Sequence, residues 1–298
     1  MNQVVSAVQP DSGEPPGSGG SDLVAVILTR NESRNIEACL SCLKWVSRVV
    51  LVDSFSDDTT IELARNIRSD IVVLQRQFDD FGQQRNFAID AVGDTKWILF
   101  LDADEHCTPE LAAEICRVTS QSSEIAGYFL TCRNIFLNRW IRRCTLYPSW
   151  QLRLLRVGQV RYRKEGHGQR EVSEGRIGYL KAPYDHFGFS QGIAHWIARH
   201  NRYSSEEVEL IQRLRTEPLA LTDLFASAVD RRRTMKRIAS RTGLFRPWFR
   251  FFYLYIVQMG FLDGYPGLIF CLLRLSQELH IVAKLAESQL QPPGFELE

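Results

Sequence analysis

The sequence holds no stretch of about 20 residues free of charge, the length that crosses a bilayer unaided. Its most apolar segments, Trp248 to Leu262 and Pro266 to Leu285, are interrupted by Arg250 and Arg274. It has no paired-cysteine framework either. Seven cysteines are an odd number, scattered without a pairing pattern, which fits a reduced, cytosolic setting better than a disulfide scaffold. The lone CxxC, Cys39 to Cys42, has no second pair and no nearby histidine, and reads as two small packing residues. The loop after the first apolar run, Thr29-Arg-Asn-Glu-Ser33, contains no glycine, which counts against a nucleotidyltransferase with its Gly-rich phosphate loop. Asp102-Ala-Asp-Glu-His106 lacks the threonine that an aspartyl phosphatase would carry there. Residues 1–21 are rich in Gly, Pro and Ser and lack the basic start and apolar core of a signal peptide, so they read as a disordered tail.

What is present is an ordinary globular composition, 45% hydrophobic and 24% charged, with enough apolar material for a sizeable core. The formal charge of +1 conceals an uneven distribution. Arg231, Arg232, Arg233, Lys236, Arg237, Arg241, Arg246 and Arg250 form one C-terminal basic run, suited to an anionic membrane surface or to nucleic acid. The apolar hairpin that follows, broken at Gly260-Phe-Leu-Asp-Gly264, favours lipid over nucleic acid.

From residue 22 the pattern alternates. Leu23 to Leu28 is a wholly apolar strand, and a helix is predicted from about Ser33 to Lys44. Arg48 to Asp53 is a second strand, followed by a helix opened by Thr59-Thr-Ile-Glu62, which fits a capping box. Ile71 to Leu74, a helix from Gln83 to Val92, and the strand Trp97 to Asp102 continue the series. Thr108-Pro-Glu110 then starts a helix, with a cap and Pro in the first turn. Alternation of this kind predicts an α/β fold with a doubly wound, mostly parallel sheet, which binds ligands at the carboxyl ends of its strands. Beyond residue 124, Gly127 to Thr131 and Gln151 to Leu155 read as strands, and the chain from Ser190 onward as helices.

The polar signals fall at those strand ends. Asp102 and Asp104 lie two apart, on one side of an extended chain, and two such carboxylates ionise together only beside a positive charge. Hard oxygen ligands alone suit Mg²⁺ or Mn²⁺.

Thr29-Arg-Asn-Glu32, Asp53, Gln84-Arg85-Asn86 and Asp102-Ala-Asp104, in that order and spacing, resemble the inverting family 2 glycosyltransferases of the GT-A fold. Asn31-Glu-Ser-Arg-Asn-Ile36 is similar to the element carried by the bacterial lipopolysaccharide-core and exopolysaccharide branch. The resemblance covers roughly residues 23–210. It implies a GT-A domain over 22–215 and a C-terminal helical, membrane-associated region over 216–298. It implies that Thr29, Asn31, Glu32 and Asp53 hold the nucleotide, that Arg85 approaches the diphosphate, and that Asp102 lies near the ribose and the metal, with Asp104 as direct ligand. The partners implied are a nucleotide-sugar donor, a saccharide or lipid-linked acceptor, and the inner face of the cytoplasmic membrane, with no nucleic acid. For the base that inversion needs, Lys164 to Glu171 is the matching stretch. Relatives place an acid beside the histidine there, which Gly166-His-Gly168 lacks, so Glu165, His167 and Glu171 stay open, Glu171 slightly ahead. Gln151 and Arg153 resemble a QxxR element on the acceptor and phosphate side. Asp185-His186 and His200-Asn-Arg-Tyr203 read as caps or as lining of the acceptor groove, the former favoured.

Overall fold

The computed structural model describes residues 19–121, 124–145, 147–165, 168–216 and 243–288. Its first half alternates β1 (Gly19–Thr29), α1 (Ile36–Ser41), β2 (Val46–Asp53), α2 (Thr60–Ile67), β3 (Val72–Gln75), α3 (Phe81–Ala91) and β4 (Trp97–Asp102). The short β5 (Glu105–His106) and α4 (Pro109–Ser120) follow. The parallel strands stand in the order β3-β2-β1-β4, and helices cover both faces. Successive side chains of a strand point to opposite faces, so a strand covered on both sides must be apolar at every position. β1 obeys this. Leu23, Ala25 and Ile27 enter one core with Leu40 of α1, Ala64 of α2 and Ile115 of α4. Val24 and Val26 enter the other with Ala88 and Ile89 of α3. Each such buried aliphatic side chain contributes about 1.5–3 kcal/mol.

The second half adds β6 (Ile125–Phe136), β7 (Arg139–Trp140), β8 (Trp150–Arg156), β9 (Val160–Glu165), β10 (Gly168–Ser173), β11 (Arg176–Tyr179) and β12 (Tyr184–His186). β8 runs antiparallel between β4 and β6 and carries the sheet on to β12 and β5. β9 and β10 form a separate antiparallel ribbon beside α3. Asn86 clamps that ribbon to α3 by donating to the Tyr162 carbonyl at 2.7 Å and accepting from its N–H at 2.9 Å.

Three local expectations change. The helix predicted over Ser33 to Lys44 shortens to α1. The capping box at Thr59 does not form: Thr59 makes no side-chain cap, and Asp58 instead accepts from the Thr60 N–H at 3.0 Å and from its hydroxyl. β1 begins at Gly19, so the strand takes in the last residues of the expected tail. At Thr108 the expected cap is present, its hydroxyl accepting from the Leu111 N–H at 3.2 Å.

The C-terminal part comprises α5 (Ile193–Thr216), α6 (Arg246–Phe252) and α7 (Gly264–Glu287). α7 lies along α5 through Val208, Ile211, Ile281 and Leu285. The turn before α7 is hooked to the sheet by Asp263, which accepts from the backbone N–H groups of Arg142, Arg143 and Cys144 at 3.2, 2.8 and 3.0 Å. No described helix is by itself long and apolar enough to cross a membrane, and Gly243–Val257 with Gly260–Glu287 meets that test only as a pair bent by 70°. Of the basic run, residues 231–241 lie outside the described residues.

Candidate functional site

Register brings the strand-end groups together. Thr29 pairs with Asp53 across β1 and β2, and Leu28 pairs with Asp102 across β1 and β4. A cleft of about 1310 Å³ opens there, bounded by the loop after β1, the β4–β5 turn, β12, α5 and α7. Thr29, Asn31, Glu32, Asp102 and Asp104 line it.

Asp53 does not line it. The carboxylate is fully buried and faces its own loop, accepting from the Ser56 N–H at 2.9 Å, the Ser56 hydroxyl at 2.5 Å and Gln75 Nε2 at 3.3 Å. Ser56 Oγ in turn accepts from the Asn31 N–H at 2.9 Å, and Asn31 Oδ1 from the Asp57 N–H at 3.0 Å. Asn31 has φ +55°, a left-handed conformation that Asn tolerates better than most residues. Asp53 therefore shapes the loop after β1 from behind. Thr29 Oγ1 is buried on the cleft wall and has no hydrogen-bond partner among the described residues.

Two arginines answer the repulsion between the acids at the end of β4. Arg85 Nη2 donates to Asp102 Oδ1 at 3.0 Å. Arg153 Nη2 donates to Asp102 Oδ2 at 3.0 Å and to Glu105 Oε1 at 2.5 Å. Arg85 is buried among the rings of Phe81, Phe100 and Tyr162, with its guanidinium carbon 5.7–5.9 Å from their centroids. Burial opposes ionisation of Asp102, but Arg153 and Arg85 overcome it and hold the carboxyl at about 2. Burial pushes Glu105 up, against the pull of Arg153. The charge expected from a metal between these acids is thus supplied in part by the chain. Arg85, expected at the diphosphate, is committed to Asp102, and Arg153, expected on the acceptor side, belongs to the same cluster. Asp102 offers both oxygens to arginine and still lines the cleft. Gln151, the other half of that element, is exposed on β8 and lies outside the cleft.

Asp104 is different. Its Oδ2 stands 3.4 Å from His186 Nε2, and His186 Nδ1 is 2.9 Å from Asn134 Oδ1. With Asn134 accepting from Nδ1–H, Nε2 is the ring nitrogen that faces Asp104 and the cleft. Burial would raise the Asp104 carboxyl, yet His186 draws it below the ordinary carboxylate value. Burial would lower His186, and Asp104 raises it instead. Glu32 is raised by burial, with Asp104 adding to that. Among the described residues no group of three or more His, Cys, Asp or Glu is placed to hold a metal alone. One carboxylate and one oriented imidazole fit a divalent ion that takes its remaining ligands from phosphate and water.

Of the three candidate bases, Glu171 sits on β10 opposite Tyr162 in the ribbon and is not among the cleft-lining residues. His167 and the side chain of Glu165 lie outside the described residues. The α5 side of the cleft offers His195, Glu206 and Glu209. His186 was expected as a cap or as lining of the acceptor groove and stands instead beside Asp104, while His195 was not singled out. β12 has three residues, and only its pairing with β5 and β6 brings His186 beside Asp104.

The family model described as Glycosyl transferase family 2 matches residues 24–169. An uncharacterized glycosyltransferase of Rickettsia bellii is 35% identical over 92 residues, 30% of each chain. The lipopolysaccharide core biosynthesis glycosyltransferase LpsC of Rhizobium meliloti is 26% identical over 143 residues, 47% of this chain and 53% of LpsC. The chain thus spans about a third of the first relative's length and about half of the second's. Among solved structures, the mannosyltransferase PcManGT of Pyrobaculum calidifontis in complex with GDP-Man and Mn²⁺ aligns over 95% of this chain and 92% of its own, at 12% identity and a TM-score of 0.47.

Proposed function

We propose, from the Glycosyl transferase family 2 domain that residues 24–169 form, that the protein moves a sugar from a nucleotide donor, UDP-linked, onto a saccharide or lipid-linked acceptor with inversion. The α/β sheet is then of the GT-A kind, and the likeness to LpsC supports a place in envelope polysaccharide synthesis. One observation carries the reading most: Asp104 and an Asn134-oriented His186 meet in the same cleft as the Thr29–Glu32 loop.

In this reading the loop after β1 receives the nucleotide. Thr29 Oγ1 is a buried polar atom awaiting a partner, and such groups are costly when left unmade. Asp53 keeps the loop in shape through Ser56. Asp104 and His186 would hold a Mg²⁺ or Mn²⁺ ion, which when bound supplies positive charge against the departing diphosphate. Arg199 of α5 lines the cleft and acts electrostatically on both Asp104 and Glu32, so it takes the part expected of Arg85. The acceptor hydroxyl loses its proton on the α5 side, where His195 is kept below the ordinary histidine value by burial, Arg199 and Arg202.

The C-terminal segment is proposed to lie on a membrane surface. Leu244, Phe245, Trp248, Phe249, Phe252 and Tyr265 are all more than half exposed. Asp263, the one acid between residues 243 and 265, is buried against the Arg142–Cys144 backbone. An aromatic face without exposed acids suits the interface of an anionic bilayer.

The test is release of UDP from a panel of UDP-sugars by the full chain. Release that needs Mn²⁺ or Mg²⁺, stops with EDTA and is lost in Asp104→Asn supports the reading. Release unaffected by EDTA or by that substitution contradicts it.

A further inference from the structure

Away from Asp104 the cleft gathers basic side chains alongside Glu206 and Glu209. Arg199, Arg202 and Arg213 of α5 and Arg274 of α7 line its far wall. Arg274 has the clearest surplus of charge. Its hydrogen bond goes to the neutral Gln277 Oε1 at 2.7 Å. The acids nearby are engaged elsewhere: Glu278 with Arg246 at 2.6 Å and Arg250 at 3.7 Å, and Glu207 with Arg246 at 3.4 Å. Burial, with Arg250 adding to it, outweighs the pull of Glu278 and Glu207 and lowers the Arg274 guanidinium to about 10. A largely desolvated cation that forms no ion pair among the described residues is costly to hold unless an anion completes it.

Arg274 also stands at a junction. It lines both the main cleft and a side cavity of about 200 Å³. Asn134 and Phe270 are shared in the same way, and Cys144, Thr145, Arg250 and Leu254 complete the side cavity. Asn134 is the residue that orients His186, so this cavity begins one side chain from the reacting end of the cleft. At about 30 Å³ per water it has room for about six waters, enough for a phosphate and the first atoms attached to it but not for a nucleoside diphosphate.

We propose that Arg274, with Arg250, forms a subsite for a phosphate group carried by the acceptor. The inference rests on the transferase reading given above, since it assumes that the donor diphosphate occupies the Asp104 end. Position separates the two ends: Asp104 and Glu32 line the main cleft but not the side cavity, which Arg274 and Arg250 line. The apolar neighbours Leu254 and Phe270 would face the sugar or alkyl body next to the phosphate.

The experiment is calorimetric titration of the full chain with inorganic phosphate in the absence of metal, alongside UDP with Mn²⁺. Saturable phosphate binding is expected, weakened roughly tenfold or more in Arg274→Gln and unchanged in Asp104→Asn. Arg274→Lys keeps the charge and guards against loss of fold, and is expected to retain part of the binding. Equal phosphate affinity in wild type and Arg274→Gln, or equal loss in Asp104→Asn, overturns the proposal. UDP binding that survives in Arg274→Gln places the subsite apart from the donor. Absence of UDP binding in every variant sinks the transferase reading while the phosphate comparison still decides the subsite. A hexose phosphate and a short-chain alkyl phosphate, compared in the same titration, identify whether the acceptor's phosphate sits on a sugar or on a lipid.

Discussion

Asp104 and His186 stand 3.4 Å apart although the chain passes through six strands between β5 and β12 before returning. The Phe187 N–H also donates to the Asp104 carbonyl at 2.8 Å, so backbone and side chain fix the same juxtaposition. Replacing Asn134 by Ala removes the acceptor that orients His186. Metal affinity is expected to fall about 10–100-fold, as when the outer partner of a ligating histidine is lost. Manganese titration followed by electron paramagnetic resonance measures it; unchanged affinity would show that Asn134 does not orient the ring.

Arg153 holds two carboxylates at the end of β4. Arg153→Met leaves Glu105 without its ion-pair partner, holding only the Asp102 N–H, and Asp102 paired with Arg85 alone. Breaking a buried pair in this way costs about 3–5 kcal/mol. Urea unfolding monitored by circular dichroism should show the midpoint falling accordingly.

His200 stacks on Trp196 with ring centroids 3.6 Å apart and is driven down to about 4 by burial, Arg274 and Arg199. Its ordinary value is 6.5, so the unfolded chain binds the proton first as pH falls. The sign is fixed by linkage: stability is full above 6.5, declines through the window down to about 4, and the penalty is complete below it. In His200→Gln the decline across that window should shrink, as read from thermal unfolding at a series of pH values. An identical pH profile would exclude His200 as the source.

Asp263 ties the turn before α7 to the sheet. Asp263→Ala leaves three backbone donors of residues 142–144 without their acceptor, each worth about 1–3 kcal/mol when buried. Hydrogen exchange should accelerate at those amides and along α7, while β1, β2 and β4 keep their protection. Uniform acceleration would show that the hook is not local.

The exposed aromatic face gives a further outcome. Trp248→Ser with Phe249→Ser should release the chain from anionic vesicles in a sedimentation assay, without loss of fold, because neither side chain enters the described core clusters. Retention on vesicles would place the contact elsewhere.

The parallel half of the fold was legible because β1, β4 and β2 from Val49 onward are covered on both faces and so read as apolar runs. The strand Trp97 to Asp102 coincides with β4 residue for residue. Thr29, Asn31, Glu32, Asp102 and Asp104 all line the cleft, because polar residues at the ends of apolar strands collect at one edge of a parallel sheet. The second half was not. β9 to β12 are short, half-exposed strands whose mixed polarity carries no clear period, and the stretch that holds Glu171 turned out to form a ribbon by α3. Asp53 and Arg85 are a related case. Their charge marks a strand end or helix start, but sequence does not say whether a carboxylate faces the ligand or its own loop. Arg153 and His186 were named in the sequence, but their partners Asp102, Glu105 and Asp104 follow from the long-range pairing of β8 and β12, which local spacing does not encode.

Isothermal titration of UDP into the full chain, with Mn²⁺ and then with excess EDTA, bears most directly on the central claim. Binding that needs the ion, is lost in Asp104→Asn and weakens in His186→Ala is the predicted result. Binding of equal strength with EDTA, or in Asp104→Asn, would contradict it.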